Sequence, residues 1–123
     1  MRRIVKVNKK LSALVCGLCL SVSAVAHHSA AQFDFQKPVQ VTGVVKEFRA
    51  ANPHMHLVLH VKDEKGERDI TFEGHSMNNI YRSGWRRDMV KVGDTITVTI
   101  APRKDGEDGG YVTSVTTASG QKF

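Results

Sequence analysis

Six histidines are the most chemically versatile side chains in the sequence, and two of them occupy a marked place. His27 and His28 directly follow Ala24-Val25-Ala26, a small-x-small pattern of the kind cut by a leader peptidase. Cleavage after Ala26 makes His27 the first residue, so its α-amine and imidazole can chelate one metal ion. The α-amine titrates near pH ~8 and can lose its proton on binding at neutral pH. Amine and imidazole donors in a plane suit Cu(II), which also leads the divalent affinity order. Cleavage after Ala24 would leave Val25-Ala26-His27, whose third-position histidine also binds Cu(II). His28 is an alternative donor, and His54 and His56 are the expected further ligands, with His60 beside them. Alternate strand residues stand about 6.5–7 Å apart, so these side chains must converge or the N-terminal arm must supply the rest. His75 and Met77 form a softer set. On this reading the cofactor is copper.

A second group with chemical potential is Tyr81-Arg82-Ser83-Gly84-Trp85-Arg86-Arg87. Arginines flanking a tryptophan can bind an anion, a glycan or a partner's carboxylate, which makes Arg82, Trp85 and Arg86 the expected ligand or partner face. The competing expectation is structural: Trp85 covers a barrel end, and the arginine stems pack on aromatics while their heads pair with Asp88, Glu73 or solvent. Asp105-Gly106-Glu107-Asp108-Gly109-Gly110 lacks the ligand register of an EF-hand and reads as a solvated hairpin turn. The sequence shows neither a nucleophile triad nor a phosphate-binding glycine loop, so the reading leans away from an enzyme. Cys16 and Cys19 have metal or redox spacing but lie inside the apolar leader, with which they would leave.

These groups need a scaffold, and 123 residues provide for one domain. Of the 18 basic residues, five fall in the first ten positions, where no acid occurs. From residue 27 onward 13 basic and 12 acidic residues remain, a net charge of +1. The overall charge of +6 therefore belongs to the leader, and a near-neutral domain argues against nucleic acid as partner. Residues 1–26 read as a secretory signal peptide: a cationic start, the apolar run Leu11 to Val25, then the cleavage site. That run has 15 residues, short of the ~20 of a spanning helix, so no stable membrane anchor is expected after cleavage. The expected location is periplasmic or secreted. The remaining 97 residues lack cysteine and must fold on an apolar core without disulfides.

Residues 27–38 read as an extended N-terminal arm and 39–123 as the barrel domain. Val39, Val41, Gly43 and Val45 share one face of a first strand, and Gly43 is expected to mark a bulge or sharp coil. Asn52-Pro53 makes a turn. In the second strand, His54 to Lys62, Met55, Leu57, Leu59 and Val61 face inward and the histidines outward. Asp63 to Gly66 turns a hairpin into a third strand, Arg68 to Gly74, with Ile70 and Phe72 inward. Ser76 is the expected N-cap of a short helix with Met77, Ile80 and Tyr81 as its apolar stripe, ended by Gly84. Ile96, Val98 and Ile100 alternate in a fourth strand, and Tyr111 to Thr117 form a fifth. The order β-β-β-α-β-β is that of an OB-like five-stranded β-barrel, all-β with one short helix; an open β-sandwich is the alternative.

Several motifs taken together resemble an uncharacterised family of small exported bacterial proteins: His27-His28-Ser29, Phe33-Asp34, Lys37-Pro38, Thr42-Gly43-Val44-Val45, Asn52-Pro53-His54, Gly84-Trp85 with Arg87-Asp88, and Lys91-x-Gly93-Asp94. The resemblance implies an exported single-domain β-barrel and carries no activity, ligand or catalytic residue. The function expected is a ligand-binding or interaction module of the cell envelope. The alternative is a periplasmic copper-binding protein using His27 with the strand histidines.

Overall fold

The computed structural model describes residues 30–123. The leader, both cysteines, His27 and His28 lie outside the described residues. Period-two patterning becomes five strands: β1 (Val39–Arg49), β2 (His56–Asp63), β3 (Gly66–Gly74), β4 (Thr95–Pro102) and β5 (Gly110–Thr116). The one helix of this part, α1 (Met77–Arg82), joins β3 to β4. The strands close into a barrel in the order β1-β2-β3-β5-β4. All pairings are antiparallel except β3 with β5, which run parallel through Glu73↔Tyr111 and Gly74↔Val112. This is the OB-like architecture that the element order implies.

The barrel interior is filled by the alternating apolar residues. Met55, Leu57, Leu59 and Val61 of the second strand and its approach are all buried, as are Ile70 and Phe72 opposite them. Ile96, Val98 and Ile100 complete the lining from β4. A period of two puts every second side chain on the inner face, so a one-residue slip would expose the whole set.

Gly43 does not mark a bulge. β1 pairs with β4 through Val39–Val44 and with β2 through Val44–Arg49, so Gly43 lies beside the residue where it changes partners. A Cβ there would sit 2.7 Å from the His60 carbonyl oxygen, so glycine serves a close backbone approach. The register shift comes later, between Val45 and Glu47.

The helix also departs from its expected stripe. Of Met77, Ile80 and Tyr81, only Ile80 is buried; Met77 is 37% and Tyr81 55% exposed. Six residues make fewer than two turns, so the helix presents one side chain to the barrel. The Ser76 side chain accepts from the Asn79 N–H at 3.3 Å, as an N-cap does. At the other end, Gly84 N–H donates to the Tyr81 carbonyl at 3.2 Å and Trp85 N–H to the Ile80 carbonyl at 3.0 Å. With Gly84 at φ 111° these two bonds form a Schellman ending, which swings Trp85 back into the core beside Ile80.

Two connections lie outside the five strands. Phe33, in the expected arm, is buried and forms a bridge with Arg103 next to β4. At the C-terminus, Phe123 exchanges both backbone hydrogen bonds with Val115 and packs against the core.

Candidate functional site

The Schellman turn places a cavity on the helix side of the barrel. Met77, Asn78 and Tyr81 contribute from α1, and Trp85, Arg86 and Arg87 from the segment after it. Its volume is about 480 Å³, within the ~300–1,000 Å³ range of small-molecule sites. The i, i+4 spacing of Met77 and Tyr81 stacks both on one helix face, and neither is used by the core.

Trp85 is only 7% exposed and lies against Phe48, with ring centroids 5.9 Å apart. It therefore covers the barrel as well as lining the cavity. Its Nε1 is buried without a hydrogen-bond partner among the described residues. An unmet buried donor of this kind costs about 1–3 kcal/mol.

Arg86 is fixed by its surroundings. Its Nη1 donates to the carbonyls of Tyr81, at 3.0 Å, and Trp85, at 2.7 Å. Its guanidinium carbon lies 4.2 Å from the centre of the Tyr81 ring, a cation–π contact. Its Nε and Nη2 donors have no partner among the described residues. Of the partners expected for these arginines, solvent is the one met: all three are exposed, and among the described residues Arg82, Arg86 and Arg87 have no carboxylate within 4.0 Å. Of the face expected from the sequence, Trp85 and Arg86 line the cavity and Arg82 does not. Asn78 joins them unannounced, its only signal being its place beside Met77 on the helix.

Of the four described histidines, His54 and His75 both lie against Tyr111, while His56 and His60 each face separate carboxylates. His54 lies just before β2, and its Nδ1 donates to the Gly74 carbonyl at 3.1 Å. A carbonyl only accepts, so the neutral ring carries its lone pair on Nε2. His56 turns toward β1, with Nε2 3.7 Å from Glu47 Oε1. His60 lies between two carboxylates: Nδ1 is 2.6 Å from Asp69 and Nε2 2.7 Å from Glu67. Those hydrogen bonds, Glu67's foremost, raise its pKa above the ordinary value. His75 Nδ1 is 3.2 Å from the Tyr111 hydroxyl. Among the described residues no three His, Cys, Asp or Glu side chains converge to hold a metal ion.

Tyr111 is the centre of an aromatic group that sequence patterning did not reveal. Phe33, Phe35, His54 and His75 all lie with ring centroids 5.2–6.2 Å from it. Burial raises the Tyr111 pKa, so the hydroxyl stays protonated at neutral pH. Four separate segments supply this group, and no local spacing links them.

The acidic β4–β5 loop is occupied by arginines. Arg68 donates to Asp63 at 2.8 Å and to Asp108 at 2.7 Å, and Arg103 pairs with Asp105. The Arg68 bonds fasten the β2–β3 and β4–β5 hairpins together, and the Arg103–Asp105 pair braces the β4–β5 loop within itself.

A comparison with curated proteins finds no match. A family model does match: a family of unknown function (DUF6152), over residues 15–113. That span covers most of the chain, including the barrel through the start of β5 and the whole cavity wall, and the protein belongs to this family.

Proposed function

We propose that this protein is an exported small-ligand-binding module of the cell envelope, with the cavity beside α1 as its binding site. The observation that carries the reading is the ligand-sized cavity of about 480 Å³ lined by Met77, Tyr81 and Trp85. None of Met77, Asn78 and Tyr81 is needed to fill the barrel, since all three side chains are exposed. Export rests on the leader pattern and its small-x-small cleavage site. The proposal assigns no catalytic step.

The test compares the natural protein with Asn78→Phe, which fills the cavity from an exposed helix position. Small molecules of the envelope are screened by thermal shift. A ligand at 100 times its Kd stabilises the native state by about 2.7 kcal/mol. Ligands that raise the Tm of the natural protein and not of the variant support the site. Equal shifts in both would place binding elsewhere. Mass measurement of the first residue in protein recovered from the periplasm tests export.

Copper binding is the second reading, favoured by one observation. The Nδ1–H of His54 is held by the Gly74 carbonyl, which orients the exposed ring and leaves Nε2 open to a metal. His27 would contribute its α-amine and imidazole if cleavage follows Ala26. One glycine added before His27 should then abolish tight Cu(II) binding, and His54→Ala should weaken it. Weak binding, equal in all three proteins, would end this reading.

A further inference from the structure

We infer that the cavity beside α1 takes a carboxylate carried on an apolar body. This rests on the reading of that cavity as the binding site and names the class of its ligand. Residues 75–93 hold Arg82, Arg86, Arg87 and Lys91 against one acid, Asp88, a net charge of +3. From residue 27 onward the whole chain nets +1, so everything outside this segment nets −2. The net positive charge from residue 27 onward thus falls within this segment, of which Arg86 and Arg87 line the cavity.

The arginines elsewhere make a useful contrast. Arg68 and Arg103 are neutralised by Asp63, Asp108 and Asp105. Arg86 and Arg87 line a cavity and have no acid within 4.0 Å among the described residues. Arg86 is also already immobilised by two carbonyls and the Tyr81 ring, with Nε and Nη2 unengaged among the described residues. A guanidinium held in place with free donors loses little freedom on receiving a planar carboxylate, which its fork matches. Apart from Asn78, the rest of the lining is apolar or aromatic: Met77, Tyr81 and Trp85. A purely inorganic anion would leave that wall unused, and a neutral apolar molecule would leave the guanidinium donors unused.

Trp85 is the chain's one tryptophan and lines the cavity, so its fluorescence reports occupancy directly. The full exported protein is titrated with octanoate, with 1-octanol and with inorganic phosphate, all below any micellar range. Octanoate should shift the emission and bind about tenfold more tightly than octanol, the scale of one charge-assisted hydrogen bond. Phosphate should not compete at equal concentration. Arg87→Gln should weaken octanoate several-fold and leave octanol unchanged, and added salt should weaken octanoate selectively. If octanol binds as tightly as octanoate, or phosphate displaces it, the carboxylate assignment fails and the cavity remains a site. If neither octanoate nor octanol binds, or if Asn78→Phe binds octanoate equally well, the reading of the cavity itself fails.

Discussion

The loops joining β2 to β3 and β4 to β5 and the segment following α1 use similar residues in opposite ways. In the first region every described arginine has its carboxylate: Arg68 bridges Asp63 and Asp108, and Arg103 holds Asp105. His60 is likewise flanked by Glu67 and Asp69. In the second region Arg86 is fixed by backbone carbonyls and an aromatic ring, and Arg87 touches no acid among the described residues. Charge in the hairpins fastens two loops to each other. Charge beside α1 holds no carboxylate among the described residues, is tied only to its own helix end, and borders a cavity, which is why the latter carries the functional reading.

The largest expected effect tests the boundary between the cavity and the core. Trp85 belongs to both, so Trp85→Ala should cost about 3–5 kcal/mol, read from urea unfolding. A loss under 1 kcal/mol would mean that Trp85 serves the cavity alone. Tyr81→Ala should behave differently, because Tyr81 is largely exposed and no core residue leans on it. It should change stability by no more than about 0.5 kcal/mol and weaken ligand binding.

A smaller contrast separates the arginines. Arg68→Ala should lower Tm measurably, because it leaves Asp63 and Asp108 facing each other without the cation that holds them. Arg87→Ala should leave Tm unchanged. If the two variants behave alike, paired and unpaired arginines are energetically equivalent here and the comparison collapses.

The smallest effect is a pH dependence confined to the hairpin. His60 gains two carboxylate partners on folding, so its folded pKa lies above the ordinary 6.5. Its contribution is therefore complete below pH ~6.5 and is lost as pH rises through the raised folded value. His60→Gln should remove that slope above pH ~6.5. Solvent exposure of the pair keeps the effect small. The carboxyls of Asp63 and Asp108, lowered by Arg68, act with opposite sign: their contribution is present above pH ~3.9 and fades as pH falls through their lowered values.

Much of the barrel was legible because inward residues repeat every second position. Met55 to Val61 and Ile96 to Ile100 are strict alternations, and strict alternation has one good solution when one face is buried. Gly43 misled because local sequence cannot distinguish a bulge from a close crossing; only pairing with both β2 and β4 reveals which applies. The apolar helix stripe misled because Met77 and Tyr81 face a cavity rather than the core. The local run Tyr81–Arg87 shows arginines beside Trp85, whereas the cavity that Trp85 and Arg86 border depends on the turn at Gly84. The group around Tyr111 was not legible, since Phe33, His54, His75 and Tyr111 meet only through tertiary closure.

The most direct test of the account follows backbone amide resonances of the protein during titration with octanoate. Shifts concentrated in Met77, Asn78, Tyr81 and Trp85 to Arg87, saturating with the Trp85 emission change, are the predicted result. Shifts centred instead on Tyr111, His54 or the β4–β5 loop, or no saturable shifts at all, would contradict the assignment of the cavity beside α1 as the binding site.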